Sequence, residues 1–142
     1  QDVADAIRDI VQDHAGVFRT TELLEKGVKE ILAIEPRVRN IHLKDKSKVF
    51  NTARIEALEV ENIYEVAKAT LISAAARKEC RGAHTVVDFE LPPDHADYPY
   101  GRRDDEWMKH TLWFSSDNRL EYKPVRYRPL SVQAIPPKPR TF

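Results

Sequence analysis

The sequence predicts a mainly α fold: an antiparallel three-helix bundle of the spectrin-repeat kind over residues 1–83, then an extended segment with a short β-hairpin over 84–142. Three observations carry this. Apolar residues recur at helical spacing in three stretches joined by short connections, a pattern best satisfied by helices packing on one another. Prolines at 92, 93, 99, 129, 136, 137 and 139 fall after His84 and exclude regular helix from the regions they punctuate. Two β-prone runs flank a polar turn.

The first helix runs from about Val3 to Ala15, with Val3, Ile7, Ile10, Val11 and His14 on one face. Gly16 reads as its stop, through a positive φ. Thr20 or Thr21 caps the second helix, Glu22 favours its positive end, and Leu23, Leu24, Val28, Ile31 and Leu32 form its apolar stripe. Pro36 implies a break or kink. Ile41 to Phe50 is basic and irregular and reads as a loop. Asn51 or Thr52 opens the longest helix, predicted to reach about Arg81. Ile55, Leu58, Asn62, Val66, Ala69 and Ile72 form one seam along it, and Val60, Tyr64, Ala67 and Leu71 widen the apolar surface, as in a helix gripped on two sides. Thr111–Phe114 and Leu120–Lys123 read as strands of a hairpin turning through Ser115–Asn118. The proline-rich tail reads as extended and ordered by a partner surface.

Composition narrows the function. The 142 residues suit one structural domain, and beginning at Gln1 with Met108 as its only methionine, the chain reads as a fragment of something longer. No apolar run approaches the ~20 residues of a bilayer crossing. Twenty-three basic residues balance twenty-three acidic ones, which argues against nucleic acid as a partner. A single cysteine fits a reducing cytosolic compartment. With four glycines the chain holds neither a Rossmann fingerprint nor a P-loop.

Several clusters invite a chemical reading. Cys80 and His84, with Asp88, His95 and Asp97 beyond, supply too few good ligands for a structural zinc site. Cys80 and His84 as a nucleophile pair lack any oxyanion hole, and Gly82 lies between them. Asp104, Asp105 and Glu106 adjoin Arg102 and Arg103 and read as a solvated stretch with local ion pairs. Arg126, Arg128, Lys138 and Arg140 have no interleaved stacking platform for nucleic acid.

The densest cluster is Arg77-Lys78-Glu79-Cys80-Arg81-Gly82-Ala83-His84. Gly82 reads as the left-handed cap of the long helix, with Arg77, Lys78 and Arg81 at the negative end of its dipole. The alanines upstream, Ala67, Ala69 and Ala74 to Ala76, allow close approach of another body. Arg77, Glu79, Arg81 and His84 are therefore expected at an interdomain contact.

At these residues a family enters. His14–Arg19, Asn51-Thr52, Leu58–Asn62, Ala76–His84 with Asp88-Phe89, Trp107–Leu112 and Pro136–Phe142 occur in the order found in the C-terminal domain of the succinate dehydrogenase/fumarate reductase flavoprotein subunit. The chain resembles the bacterial form of that domain over nearly its whole length. It departs at Cys80, where serine is usual, and at Val86, where an arginine is common.

The resemblance implies a parent enzyme that oxidises succinate to fumarate by passing a hydride to covalently attached FAD. Electrons then move through an iron–sulfur subunit to quinone at the membrane. It implies flavin-binding and capping domains of the same subunit as partners, with iron–sulfur and membrane-anchor subunits beyond. Attachment would be peripheral, on the cytoplasmic face of the bacterial inner membrane, without direct insertion. The family's catalytic, flavin-linking and substrate-binding residues belong to the preceding domains, so this stretch is expected to bind no FAD and no metal and to be inactive alone. Two alternatives stay open: the helical domain of a related flavoprotein such as L-aspartate oxidase, and a helical interaction module outside enzymology.

Overall fold

Helix α1 (Asp2–His14) turns Ala4, Ile7, Ile10 and His14 inward, the helical spacing its sequence dictates. These elements are those of a computed structural model, which describes residues 2–41, 43 and 46–139. Helix α2 (Thr21–Ala33) opens with the Thr20 hydroxyl accepting from the Leu23 amide at 3.1 Å and buries Leu24, Gly27 and Ile31. Pro36 does not kink this helix. Ile34 closes α2, and the proline stands in the first turn of a separate short helix, α3 (Glu35–Arg39), where its missing N–H costs nothing. The described residues between Ile41 and Phe50 are non-helical; His42, Lys44 and Asp45 lie outside the described residues. Helix α4 (Thr52–Ala76) starts where the Asn51 side chain accepts from the Arg54 amide at 2.9 Å.

Helices α1, α2 and α4 contact one another pairwise. Ile7, Ile10, Ile31, Val38, Tyr64 and Leu71 meet in the core between them. Gly27 permits the closest approach: a Cβ there would lie 2.6 Å from His14 Cβ and 3.0 Å from Leu71 Cδ2. Of the two apolar seams on α4, only Val60, Tyr64, Ala67, Leu71 and Ala74 are buried. Ile55, Leu58 and Val66 are 57%, 55% and 67% exposed and Ala69 and Ile72 are half-buried, so among the described residues this seam is largely uncovered.

The long helix stops at Ala76, five residues short of the expected Arg81. Arg77 leaves it in an extended conformation (φ −81°, ψ 97°) because its side chain is bound to the hairpin. Gly82 is not a helix cap. Its φ of 57° serves a tight turn, Arg81–His84, closed by two backbone bonds of 2.9 Å. Gly16, in contrast, is not left-handed: among the glycines Gly82 and Gly101 alone have positive φ. A Cβ at Gly16 would lie 3.2 Å from the Gln12 carbonyl oxygen, a tight contact.

Strand β1 (Phe18–Arg19) pairs in parallel with β2 (Thr85–Val86), which brings the turn after α1 beside the 77–84 octet. After a proline-rich loop and a single helical turn, α5 (Asp104–Trp107), strands β3 (Lys109–Trp113) and β4 (Leu120–Pro124) form an antiparallel hairpin with Trp113 opposite Leu120. β3 begins two residues before the predicted strand. The Asp117 carboxylate accepts from the Arg119 amide at 3.2 Å and Asn118 takes a φ of 57°, which closes the predicted polar turn. The hairpin is tied to α4 through buried Lys68, whose ammonium bonds Glu65 at 3.1 Å and lies 4.9 Å and 5.5 Å from the Tyr64 and Trp113 rings. In the tail, Leu130, Val132 and Ile135 are exposed, and Arg102 donates to the Lys138 carbonyl. Among the described residues no helix is long and apolar enough to cross a membrane.

Candidate functional site

The octet folds around a fully buried carboxylate. Glu79 Oε1 accepts from Arg77 Nε (3.2 Å), Arg77 Nη2 (2.9 Å) and Arg81 Nε (2.8 Å), while Oε2 accepts from Arg81 Nη2 (3.0 Å) and the Arg103 amide (3.1 Å). Burying one charge without partners would be prohibitive; here two guanidinium groups and an amide replace its water. Arg77 also donates to the carbonyls of Trp107 (2.6 Å) and Lys109 (3.0 Å) and to Thr111 Oγ1 (3.1 Å). All five of its N–H groups are therefore used, in a planar fork that lysine cannot reproduce. Its guanidinium lies 5.1 Å from the centre of the buried Trp107 ring, which Tyr122 meets edge-on at 5.7 Å.

Asp104 extends the network. It pairs with Arg81 and Arg102 at 2.7 Å each. Partial burial pushes its carboxyl upward, but the two guanidinium groups outweigh this and hold it below the ordinary carboxylate value. Burial likewise opposes the charge on Arg81, yet its bonds to Glu79 and Asp104 raise its pKa above normal. The sequence reading of Asp104 as a member of local ion pairs thus agrees with its geometry.

His84 joins the octet to the turn after α1. Arg19 Nη1 lies 3.0 Å from its Nδ1, and its Nε2 lies 3.0 Å from the Arg77 carbonyl. A guanidinium only donates and a carbonyl only accepts, so the ring is neutral with its proton on Nε2. Burial, then the nearby Arg19 and Arg77 charges, depress the His84 pKa, although the Arg77 carbonyl pulls the other way. The unfolded chain therefore binds a proton more readily than the folded one. Stability contributed by this site is complete above the ordinary histidine value of 6.5 and is lost as pH falls below it toward the lower folded value. The melting temperature is expected to drop between pH 7 and pH 5, and His84→Gln should flatten that slope. An unchanged slope in the variant would remove His84 as its source. The Asp88 and Asp104 carboxylates, depressed below 3.8, lose their contributions only in a more acidic window.

Cys80 and His84 are not brought together as a reactive pair. The Cys80 thiol donates to the Val86 carbonyl at 3.2 Å, and burial pushes its pKa up, away from thiolate character. Among the described residues no group of three or more His, Cys, Asp or Glu could hold a metal ion. Asp88 instead fixes the start of α2, accepting from the Thr21 amide at 2.6 Å. Arg140 lies outside the described residues. A cleft of about 630 Å³ opens beside the network, between Phe18, Thr85, Tyr100 and Arg102. Sequence reasoning missed Arg19, Trp107 and Thr111 as partners of the octet. Their separations of 65, 30 and 34 residues carry no periodic signal.

Fold and site together define a helical domain with an ion network centred on a buried carboxylate. The chain belongs to the family described as fumarate reductase flavoprotein C-terminal domain, whose profile matches residues 4–142. It is similar to the succinate dehydrogenase flavoprotein subunit of Rickettsia bellii (strain RML369-C), at 43% identity over 137 residues, covering 93% of this chain and 21% of that protein. It is also similar to the fumarate reductase flavoprotein subunit of Haemophilus influenzae, at 33% identity, covering 88% and 20%. Among solved structures, an E. coli quinol fumarate reductase FrdA chain superposes with a TM-score of 0.76 at 30% identity, covering 95% of this chain and 22% of that one. The chain thus spans about a fifth of the length of the relatives it matches, as their C-terminal domain.

Proposed function

We propose that this domain buttresses the flavin-bearing part of a succinate dehydrogenase flavoprotein subunit. The parent enzyme oxidises succinate to fumarate on covalently bound FAD and passes electrons through an iron–sulfur subunit to quinone. In this reading residues 1–83, an up-down-up helical bundle, and 84–142 act as one structural unit that holds no FAD and no catalytic residue. Its partners are the flavin-binding and capping domains, then the iron–sulfur and membrane-anchor subunits. The complex sits on the cytoplasmic face of the inner membrane through those subunits. Relatives named succinate dehydrogenase and fumarate reductase favour this over the L-aspartate oxidase alternative.

One observation carries the role of the octet. Arg77 and Glu79 are spent inside the chain, and their network stiffens a turn whose tip, Gly82-Ala83, is exposed beside exposed Val17 and Phe18. A rigid base beneath an exposed tip suits a docking contact, with Arg81 and His84 at its edges. In the full-length subunit, Ala83→Glu is expected to lower covalent flavin content and succinate-dependent dye reduction at least about tenfold, because an unpaired charge would be buried. Ser116→Glu, at the hairpin turn, serves as the control. Full flavin content and activity in Ala83→Glu would sink the contact, and a flavin-free wild-type subunit would sink the enzyme reading.

A further inference from the structure

Helix α4 is apolar on two opposite faces. At about 100° per residue, Val60, Tyr64, Ala67 and Leu71 point into the core, whereas Ile55, Leu58, Asn62, Val66 and Ala69 centre on the far side. Charged residues such as Glu59, Glu61 and Glu65 separate the two stripes, and an apolar stripe on each of two faces suits a helix covered on both. Here the outer stripe lies open, and its Val66 borders a groove of about 580 Å³ between α4 and α1, floored by Ile7, Val11, Ala15, Ile63 and Ala67. The wall from α1 is continuous with the core: Ile7 belongs to it, and Val11 and Ala15 pack against it.

We infer that this groove is a second docking surface, distinct from the octet, and that its occupant is an apolar segment of the same subunit N-terminal to this chain. The inference rests on the reading that the chain is the C-terminal domain of a longer flavoprotein subunit. In the solved relative this fold accounts for 22% of one continuous chain, so about four-fifths of the polypeptide is available to cover the face. That polypeptide leads into α1, which forms one wall of the groove. A segment packing there needs no separate recognition: it is tethered, and its effective concentration is high whatever the intrinsic affinity. The rim residues Arg8, Gln12, Asn62 and Thr70 offer few charges, so the match is one of shape and apolar area, as within a domain core.

The test uses the full-length subunit carrying Val66→Cys, with Ser116→Cys as an exposed reference, treated with a maleimide reagent and mapped by peptide mass. Both positions are exposed in the domain alone. A covered groove reacts only through local opening, so Val66→Cys should label on the order of a hundredfold more slowly than Ser116→Cys. That protection should persist on dilution of the isolated subunit. Labelling of Val66→Cys at the rate of Ser116→Cys overturns the inference. Protection that disappears on dilution, or that requires the other subunits, overturns the occupant, because a second copy or a neighbouring subunit is then the cover. Succinate-dependent dye reduction on the same preparation reports separately on the enzyme reading.

Discussion

Glu79→Ala is expected to cost about 3–5 kcal/mol, a large share of the stability of any domain this size. The carboxylate is fully buried and receives five N–H groups, so its removal leaves the partly buried Arg77 and Arg81 guanidinium groups without their shared counter-charge, with Arg102 close by through Asp104. The loss follows from stranding these partners, which exceeds the net contribution of the ion pairs themselves. A urea titration measures it as a fall in midpoint at unchanged slope. Asp104→Ala, at a carboxylate 44% exposed, should cost no more than about 1 kcal/mol. A Glu79→Ala midpoint within the range of Asp104→Ala would mean that water or a counter-ion replaces the carboxylate, and the network would then not be the keystone of this half of the chain.

Gly101→Ala is expected to be comparably severe, at about 3 kcal/mol or more. Gly101 has a φ of 80°, and a Cβ there would sit 2.1 Å from the Phe89 carbonyl oxygen, a backbone atom that cannot step aside cheaply. Its own carbonyl accepts from the Cys80 amide at 3.0 Å, so any shift is passed to the octet. Gly82 supplies the comparison. It too is left-handed, with φ at 57°, but a Cβ would meet nothing within 4 Å. Gly82→Ala should therefore cost only about 1–2 kcal/mol, the intrinsic left-handed penalty. Equal losses in the two variants would show that φ, and not the clash with Phe89, decides the effect.

What the sequence made legible was local or periodic. The Thr20 and Asn51 caps, the inward Ile7, Ile10, Leu24 and Ile31, and the hairpin around Ser115–Asn118 all depend on residues within a few positions of one another, whereas Leu23, expected in the buried stripe of α2, is 36% exposed at that helix's first turn. Propensity carries α4 through Arg77 to Arg81, whereas three tertiary bonds from Arg77, to Trp107, Lys109 and Thr111, hold the backbone out of the helix. Gly82 is ambiguous for the same reason, since a left-handed glycine suits a helix end and a tight turn equally. The octet was recognised as unusual from its density of charge. That Arg77 and Glu79 turn inward is not legible, because Arg103, Trp107 and Thr111, which complete their network, stand 24, 30 and 34 residues from the groups they bind. The two seams of α4 were both visible, but periodicity alone cannot say which one the chain itself covers.

The parallel pairing of Phe18-Arg19 with Thr85-Val86 bears on the order in which the molecule assembles. Arg19 and His84 are 65 residues apart, and closing a loop of that length costs about 4 kcal/mol in chain entropy from the length term alone. A two-residue ladder and one Arg–His hydrogen bond cannot repay this by themselves. The helices between them must already have drawn the two ends together, so the ladder latches a structure that exists before it. The contacts that join the second half of the chain to the helices are non-local, so its docking is expected to follow helix formation.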